Sequence, residues 1–121
     1  MKIALTATAS SLKAEMESRF GRTPYFILVD PETMEYETLK NPAASAGGGA
    51  GIQAAQTVLD HQAKAVISGN IGPNAMRVLQ SAGVKVYLGK PASVKELIEE
   101  YKQGKLSPVD QANRPSHFGM K

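Results

Sequence analysis

The sequence predicts an α/β fold: a mixed sheet with helices on both faces. Three observations carry this. The nearly continuous apolar runs Ile3-Ala4-Leu5-Thr6-Ala7 and Tyr25-Phe26-Ile27-Leu28-Val29 read as strands from a sheet interior. From Ile52 onward, segments of helical spacing alternate with short β-rich runs, the pattern of parallel strands joined by right-handed crossovers. Ser93 and Glu96 form a capping box ahead of Val94, Leu97, Ile98 and Tyr101, which share one helical face, and Gly104 supplies the stop.

The first strand, residues 3–7, is central because both its faces are apolar. Residues 11–20 follow, with Leu12, Met16 and Phe20 four apart, which predicts a short helix or helical turn. Residues 25–29 are the second strand, and Asp30-Pro31 opens a type I turn. Residues 34–39 alternate, with their glutamates on one side, as an edge strand with one face in water does. These two strands make an antiparallel hairpin, expected to run antiparallel to the first strand, with the later strands parallel to it. A glycine run at 46–51 precedes a helix over 52–62 that buries Ile52, Ala55, Val58 and Leu59. Residues 65–68 are the fourth strand, 73–82 a second helix beginning at Pro73, and 84–88 the fifth strand. The order is β-β-β-α-β-α-β-α, five strands in all, compatible with a ribonuclease-H-like arrangement. Residues 1–106 read as one domain. Residues 107–121 carry two prolines and no periodicity, and read as a mobile tail.

At 121 residues, with 42% apolar and 21% charged side chains, the chain has the length and composition of a single globular domain. No apolar run approaches the ~20 residues of a membrane span, and the first six residues turn polar too soon for a signal peptide. The chain therefore reads as soluble and cytoplasmic, with no membrane partner. It has no cysteine, which excludes disulfides, thiolate nucleophiles and all-cysteine cluster ligation. Its two histidines, His61 and His117, are too few for a structural zinc site. The net charge of +3 hides a gradient: residues 1–22 hold four basic and two acidic side chains, 23–60 one and five, and 61–121 nine and four. The basic third segment lacks a dense cluster with interleaved aromatics, so nucleic acid is not the expected partner. A nuclease of this architecture would need carboxylates for two divalent ions, starting on the first strand, and residues 3–8 contain none.

The chemistry concentrates in three loops that can meet at one end of such a sheet. One follows the first strand and includes Ser10 and then Arg19, Phe20, Gly21 and Arg22. The second holds Gly47, Gly48 and Gly49. The third is Gly69-Asn70-Ile71-Gly72-Pro73-Asn74. Both glycine loops open helices, so their backbone N–H groups and helix dipoles can face a shared anion beyond the carboxyl ends of the strands. Arg19 and Arg22 can add charge-assisted bonds, or simply lie solvated on the surface. Phe20 can wall the site or pack in the core. Gly69, Asn70, Gly72 and Asn74 have the alternative of a plain strand–helix connection. The run of glycines matches neither a dinucleotide fingerprint nor a P-loop. No catalytic triad is visible, since His61 sits near a helix end and His117 in the tail. Met16 and Met76 read as core filler. His117 and Met120 lie close enough in sequence to touch one soft metal, which makes His117 a weak metal-ligand candidate.

Four motifs occur in a telling order: Arg19-Phe20-Gly21-Arg22-Thr23-Pro24-Tyr25-Phe26, the glycine run, Gly69-Asn70-Ile71-Gly72-Pro73-Asn74-Ala75, and Gly83-Val84-Lys85-Val86-Tyr87. Over residues 1–106 the chain resembles the dinitrogenase iron–molybdenum cofactor biosynthesis family, whose members include carriers and binding domains for nitrogenase cofactors and their precursors. The resemblance implies a ribonuclease-H-like fold and non-catalytic handling of an iron–sulfur or iron–molybdenum cluster as cargo, with a protein partner for cluster transfer. Members often carry cysteine or histidine around the Phe-Gly-Arg motif, where Arg19 and Thr23 stand here. The reading is thus a carrier for an anionic metal cluster or precursor. Its alternatives are an enzyme acting on a small anionic metabolite through the same loops, and a partner-binding adaptor.

Overall fold

Along the first strand, Ile3, Leu5 and Ala7 turn to one face and Ala4 and Thr6 to the other, and all five are fully buried. A strand buried on both faces belongs in the middle of a sheet. The computed structural model, which describes residues 1–44 and 49–111, places it there. The elements are β1 (Lys2–Ala7), β2 (Tyr25–Val29), β3 (Tyr36–Lys40), α1 (Ala50–Asp60), β4 (Ala63–Ser68), α2 (Pro73–Ser81), β5 (Lys85–Leu88), α3 (Val94–Lys102) and β6 (Pro108–Val109). The strand order is β3-β2-β1-β4-β5-β6. β1, β4 and β5 are mutually parallel, while β2 is antiparallel to β1 and β6 to β5.

The core has two halves, one on each face of the sheet. α1 and α2 cover the face that carries Ala4, Phe26, Leu28, Val66 and Val86, adding Ala54, Val58, Met76 and Leu79. α3 covers the other, packing Val94, Leu97 and Ile98 on Ile3, Leu5, Ile27 and Ile67. Among the described residues no helix is long and apolar enough to cross a membrane.

Four sequence expectations change. The sheet has six strands, not five. β6 is only two residues long and begins with a proline, so no periodicity could reveal it. It lies within 107–111, and Asp110 beyond it accepts a 2.8 Å hydrogen bond from Gln80 Nε2 through its carbonyl. Only β2 of the hairpin is antiparallel to β1. β3 is antiparallel to β2 and so runs with β1. Residues 11–20 are not helical. Met16 packs in the α3 half of the core and Phe20 in the α1–α2 half, so the segment is a strap crossing the end of the sheet from one face to the other. Its four-residue spacing reflects that crossing. Finally, Ile52 is 39% exposed, because Ala50, Ala54, Ala55 and Val58 form the buried face of α1. Residues 112–121 lie outside the described residues.

Candidate functional site

The strap is stitched to the sheet end by backbone bonds. Glu17 N–H donates to Thr6 O (3.3 Å), Asn70 N–H to Ser18 O (2.7 Å) and Phe20 N–H to Asn70 O (3.3 Å). Beneath it the buried hydroxyls of Thr6 and Ser68 lie 3.3 Å apart, and Thr6 Oγ1 donates to Glu17 O. Through these bonds the loop after β1 and the turn after β4 become one surface.

Gly51, in the first turn of α1, joins them. A β-carbon on Gly21 would stand 3.0 Å from Gly51 N, and one on Gly51 would meet Ala75 Cβ at 3.4 Å. The motif loop, the first turn of α1 and the first turn of α2 are therefore in contact. The Arg19–Thr23 loop, Gly51 in the first turn of α1, and the turn after β4 thus meet at the end of the sheet where β1 and β4 finish.

The three helices begin differently. At α3, Ser93 Oγ accepts from Glu96 N–H, Glu96 Oε1 accepts from Ser93 N–H, and the strap carbonyls of Ala14 and Leu12 accept from Val94 and Lys95. Its orphan amides are thus taken by protein. Neither α1, which starts at Gly49 with φ 75°, nor α2, which starts at Gly72 with φ −81° and ψ 169°, has a side-chain cap. Both first turns thus lack the side-chain acceptor that α3 has, the arrangement in which helix N-termini take up water or an anion.

The other candidates distribute as follows. Arg19 is more than half exposed, and its Nε donates to Glu17 Oε2 at 3.1 Å. Burial works to raise the Glu17 pKa, but hydrogen bonds from the Arg19 side chain and backbone prevail and hold it below the ordinary carboxylate range. Arg22 Nη1 donates to Ala44 O at 3.4 Å, across the approach to the glycine run. Phe20 is 2% exposed, with its ring 5.5 Å from that of Phe26, so it forms the floor under the loops from within the core. Asn70 takes part through its backbone, and Asn74 Oδ1 accepts from Arg77 Nη1 at 3.2 Å. Gly69 lies against Ser18, and Gly72 has open space around it. Ser10 is exposed and precedes the part of the strap that pairs with α3. Gly47, Gly48 and His117 lie outside the described residues.

Two residues outside the candidate ligand-binding set hold these loops together. Thr23 is fully buried, and its Oγ1 is 3.0 Å from Ala7 N, 3.1 Å from Ala7 O and 2.8 Å from Tyr25 O. Asn41 is 5% exposed. Its Nδ2 donates to Gly21 O (3.2 Å) and Thr23 O (2.9 Å), and its Oδ1 accepts from Ala43 N–H (3.0 Å). Asn41 thereby fixes the Arg19–Thr23 loop against the chain leading into the glycine run. The Asn-Pro pair at 41–42 is a turn signal that could have pointed to it. Among the described residues no three His, Asp or Glu side chains gather as a metal site.

A family model described as dinitrogenase iron–molybdenum cofactor matches residues 1–104. The chain belongs to that family. An uncharacterised protein of Methanocaldococcus jannaschii is 33% identical over 113 residues, covering 91% of this chain and 92% of the relative. The apo form of the orange protein from Desulfovibrio gigas superposes with a TM-score of 0.90 at 33% identity, over 93% of this chain and 96% of that one. A Thermotoga protein provisionally described as NifB gives 0.82 at 31% identity, over 93% and 97%. The span matched by the family covers the Arg19–Thr23 loop, Gly51 and the turn after β4.

Proposed function

We propose that this protein is a non-catalytic carrier that binds an anionic metal cluster, of iron–sulfur or iron–molybdenum type, or a precursor of one. The observation that carries the reading is the meeting of the uncapped first turns of α1 and α2 beneath the Arg19–Thr23 loop. Backbone N–H groups and a guanidinium recognise the outer sulfide or oxide ligands of an anion by hydrogen bonding and charge; they do not bond the metal. Such a donor set suits cargo that arrives assembled and leaves intact. Family membership and likeness to a protein solved in an apo form support the same reading. The strand order 3-2-1-4-5, with the second strand opposed to its neighbours, supports a ribonuclease-H-like sheet as the platform. Transfer to a protein partner would complete the carrier's task.

The test is anaerobic incubation with a preassembled iron–sulfur cluster bearing small thiolate ligands, followed by size exclusion and iron analysis. The full chain should retain iron, and Arg22→Ala should retain several-fold less while still unfolding in one cooperative transition. Elution of the full chain free of iron would overturn the proposal. Turnover of a small anionic metabolite would favour an enzyme instead.

A further inference from the structure

Two hydrogen-bonded turns flank an open cleft at the end of the sheet opposite the glycine turns. Between β2 and β3, Asp30 N–H donates to Glu35 O (2.9 Å), Met34 N–H to Asp30 O (2.7 Å) and Glu32 N–H to Asp30 Oδ1 (2.9 Å). After α3, Gly104 turns the chain with φ 74°, its N–H on Tyr101 O (3.1 Å) and that of Lys105 on Glu100 O (2.9 Å). Both walls are thus formed in advance of any ligand. The cleft holds about 590 Å³, within the ~300–1,000 Å³ usual for ligand sites.

Tyr87, Tyr101, Leu106 and Pro108 line it, and the first three pack against the α3 half of the core. The two tyrosine rings meet edge to face, centroids 5.2 Å apart at 86°, an arrangement that a third ring can join. Burial and the neighbouring Tyr87 phenol push the Tyr101 hydroxyl pKa up, so that hydroxyl stays a neutral donor.

Charges of both signs stand around these rings. Asp30 is committed, through Oδ1 to the Glu32 amide and through Oδ2 to the Met1 amino group at 3.9 Å. Glu32, in the turn after β2, and Lys102, at the end of α3, have no ion-pair partner among the described residues. A ligand carrying one sign of charge would meet its own sign on one wall, whereas a ligand carrying both can answer each. Neighbouring hollows have mixed charge without the rings. One sets Lys2 and Lys64 beside Asp30, the other Lys85 beside Asp110, and neither is lined by an aromatic side chain.

We propose that this cleft binds a free aromatic amino acid, its ring on Tyr87 and Tyr101, its ammonium toward Glu32 and its carboxylate toward Lys102. The inference is independent of the cargo reading and concerns the other end of the sheet.

The test is NMR titration of the full chain with phenylalanine, phenylethylamine and phenylpropionate. Phenylalanine should shift the Tyr87, Tyr101 and Leu106 side-chain resonances saturably, leaving the amides of Gly69 and Gly72 in place. Phenylethylamine, which lacks the carboxylate, and phenylpropionate, which lacks the ammonium, should each bind several-fold more weakly. Lys102→Gln should erase the advantage over phenylethylamine, and Glu32→Gln the advantage over phenylpropionate. Both side chains are exposed, so the fold survives either change. Absence of a saturable shift, or equal binding of the three compounds, would overturn the proposal. Leucine binding as tightly as phenylalanine would overturn it too, because the rings would then select nothing. Cleft resonances that move with protein concentration alone would also overturn it, and would assign the cleft to a second copy of the chain.

Discussion

Gly69 lies so close to the strap that a β-carbon on it would stand 2.8 Å from the Cα of Ser18. The obstacle is backbone, held in place by the 2.7 Å bond from Asn70 N–H to Ser18 O. Adding even a methyl group must therefore move the strap or the turn. We expect Gly69→Ala to cost about 1–3 kcal/mol, the usual range for overpacking. Urea denaturation would measure it, and a loss below about 0.5 kcal/mol would show that the strap gives way freely.

Gly72 behaves in the opposite way. Its φ of −81° and ψ of 169° are open to any residue, and they resemble those of the Ser93 cap at −72° and 157°. Gly72→Ser should therefore leave the fold intact and add a few tenths of a kcal/mol through a new N-cap bond. The same hydroxyl would occupy an α2 amide that an anion needs. Sulfate titration followed by amide shifts of residues 72–75 should thus give a weaker response in a slightly more stable protein. An unchanged response would show that α2 donates nothing to the anion.

Asn41 satisfies three backbone groups at once, and it is buried. Asn41→Ala leaves those groups to find other partners, at about 1–3 kcal/mol for the first left unpaired. The amide resonances of residues 21–23 should broaden or shift, while those of α3, on the far face, stay in place. Stability equal to the parent in a denaturant melt would mean that water replaces the amide.

Glu17 gives the fold an acid-sensitive contact. Because its pKa is lowered in the folded state, its stabilising contribution is present above the ordinary glutamate value of roughly 4.3 and is lost as pH falls through the lower folded value. The protein should therefore lose stability on acidification below about pH 4.3 more steeply than Glu17→Gln does. Melting temperatures of both proteins between pH 3 and pH 7 would show this, and parallel curves would rule it out.

Much of this architecture was legible in the residues. The span of β2 and the Ser93–Glu96 capping box were readable because each is set by local chemistry, an apolar run in one case and a hydrogen-bonded cap in the other. The nearness of the turn after β4 to the loop after β1 follows from the parallel pairing of those two strands, whereas the end at which β3 delivers its chain depended on a strand direction that the residues did not reveal. The strap was not, since Leu12, Met16 and Phe20 have helical spacing while their burial belongs to two different halves of the core. Thr23 and Asn41 were hidden for another reason: a single polar residue reveals its partners only when distant backbone arrives beside it. Ile52 misled because helical period alone does not say which stripe faces the sheet when alanines can pack more closely.

The strap has a length it cannot change. Leu12 and Ala14 are committed to the amides of α3, and Ser18 to the turn after β4, on opposite sides of the sheet. One residue more or fewer between these anchors would put both sets of bonds out of register. A surface segment without helix or strand ordinarily tolerates insertions, but this one acts as a ruler, setting how far the first turn of α3 stands from the glycine turn on the other face.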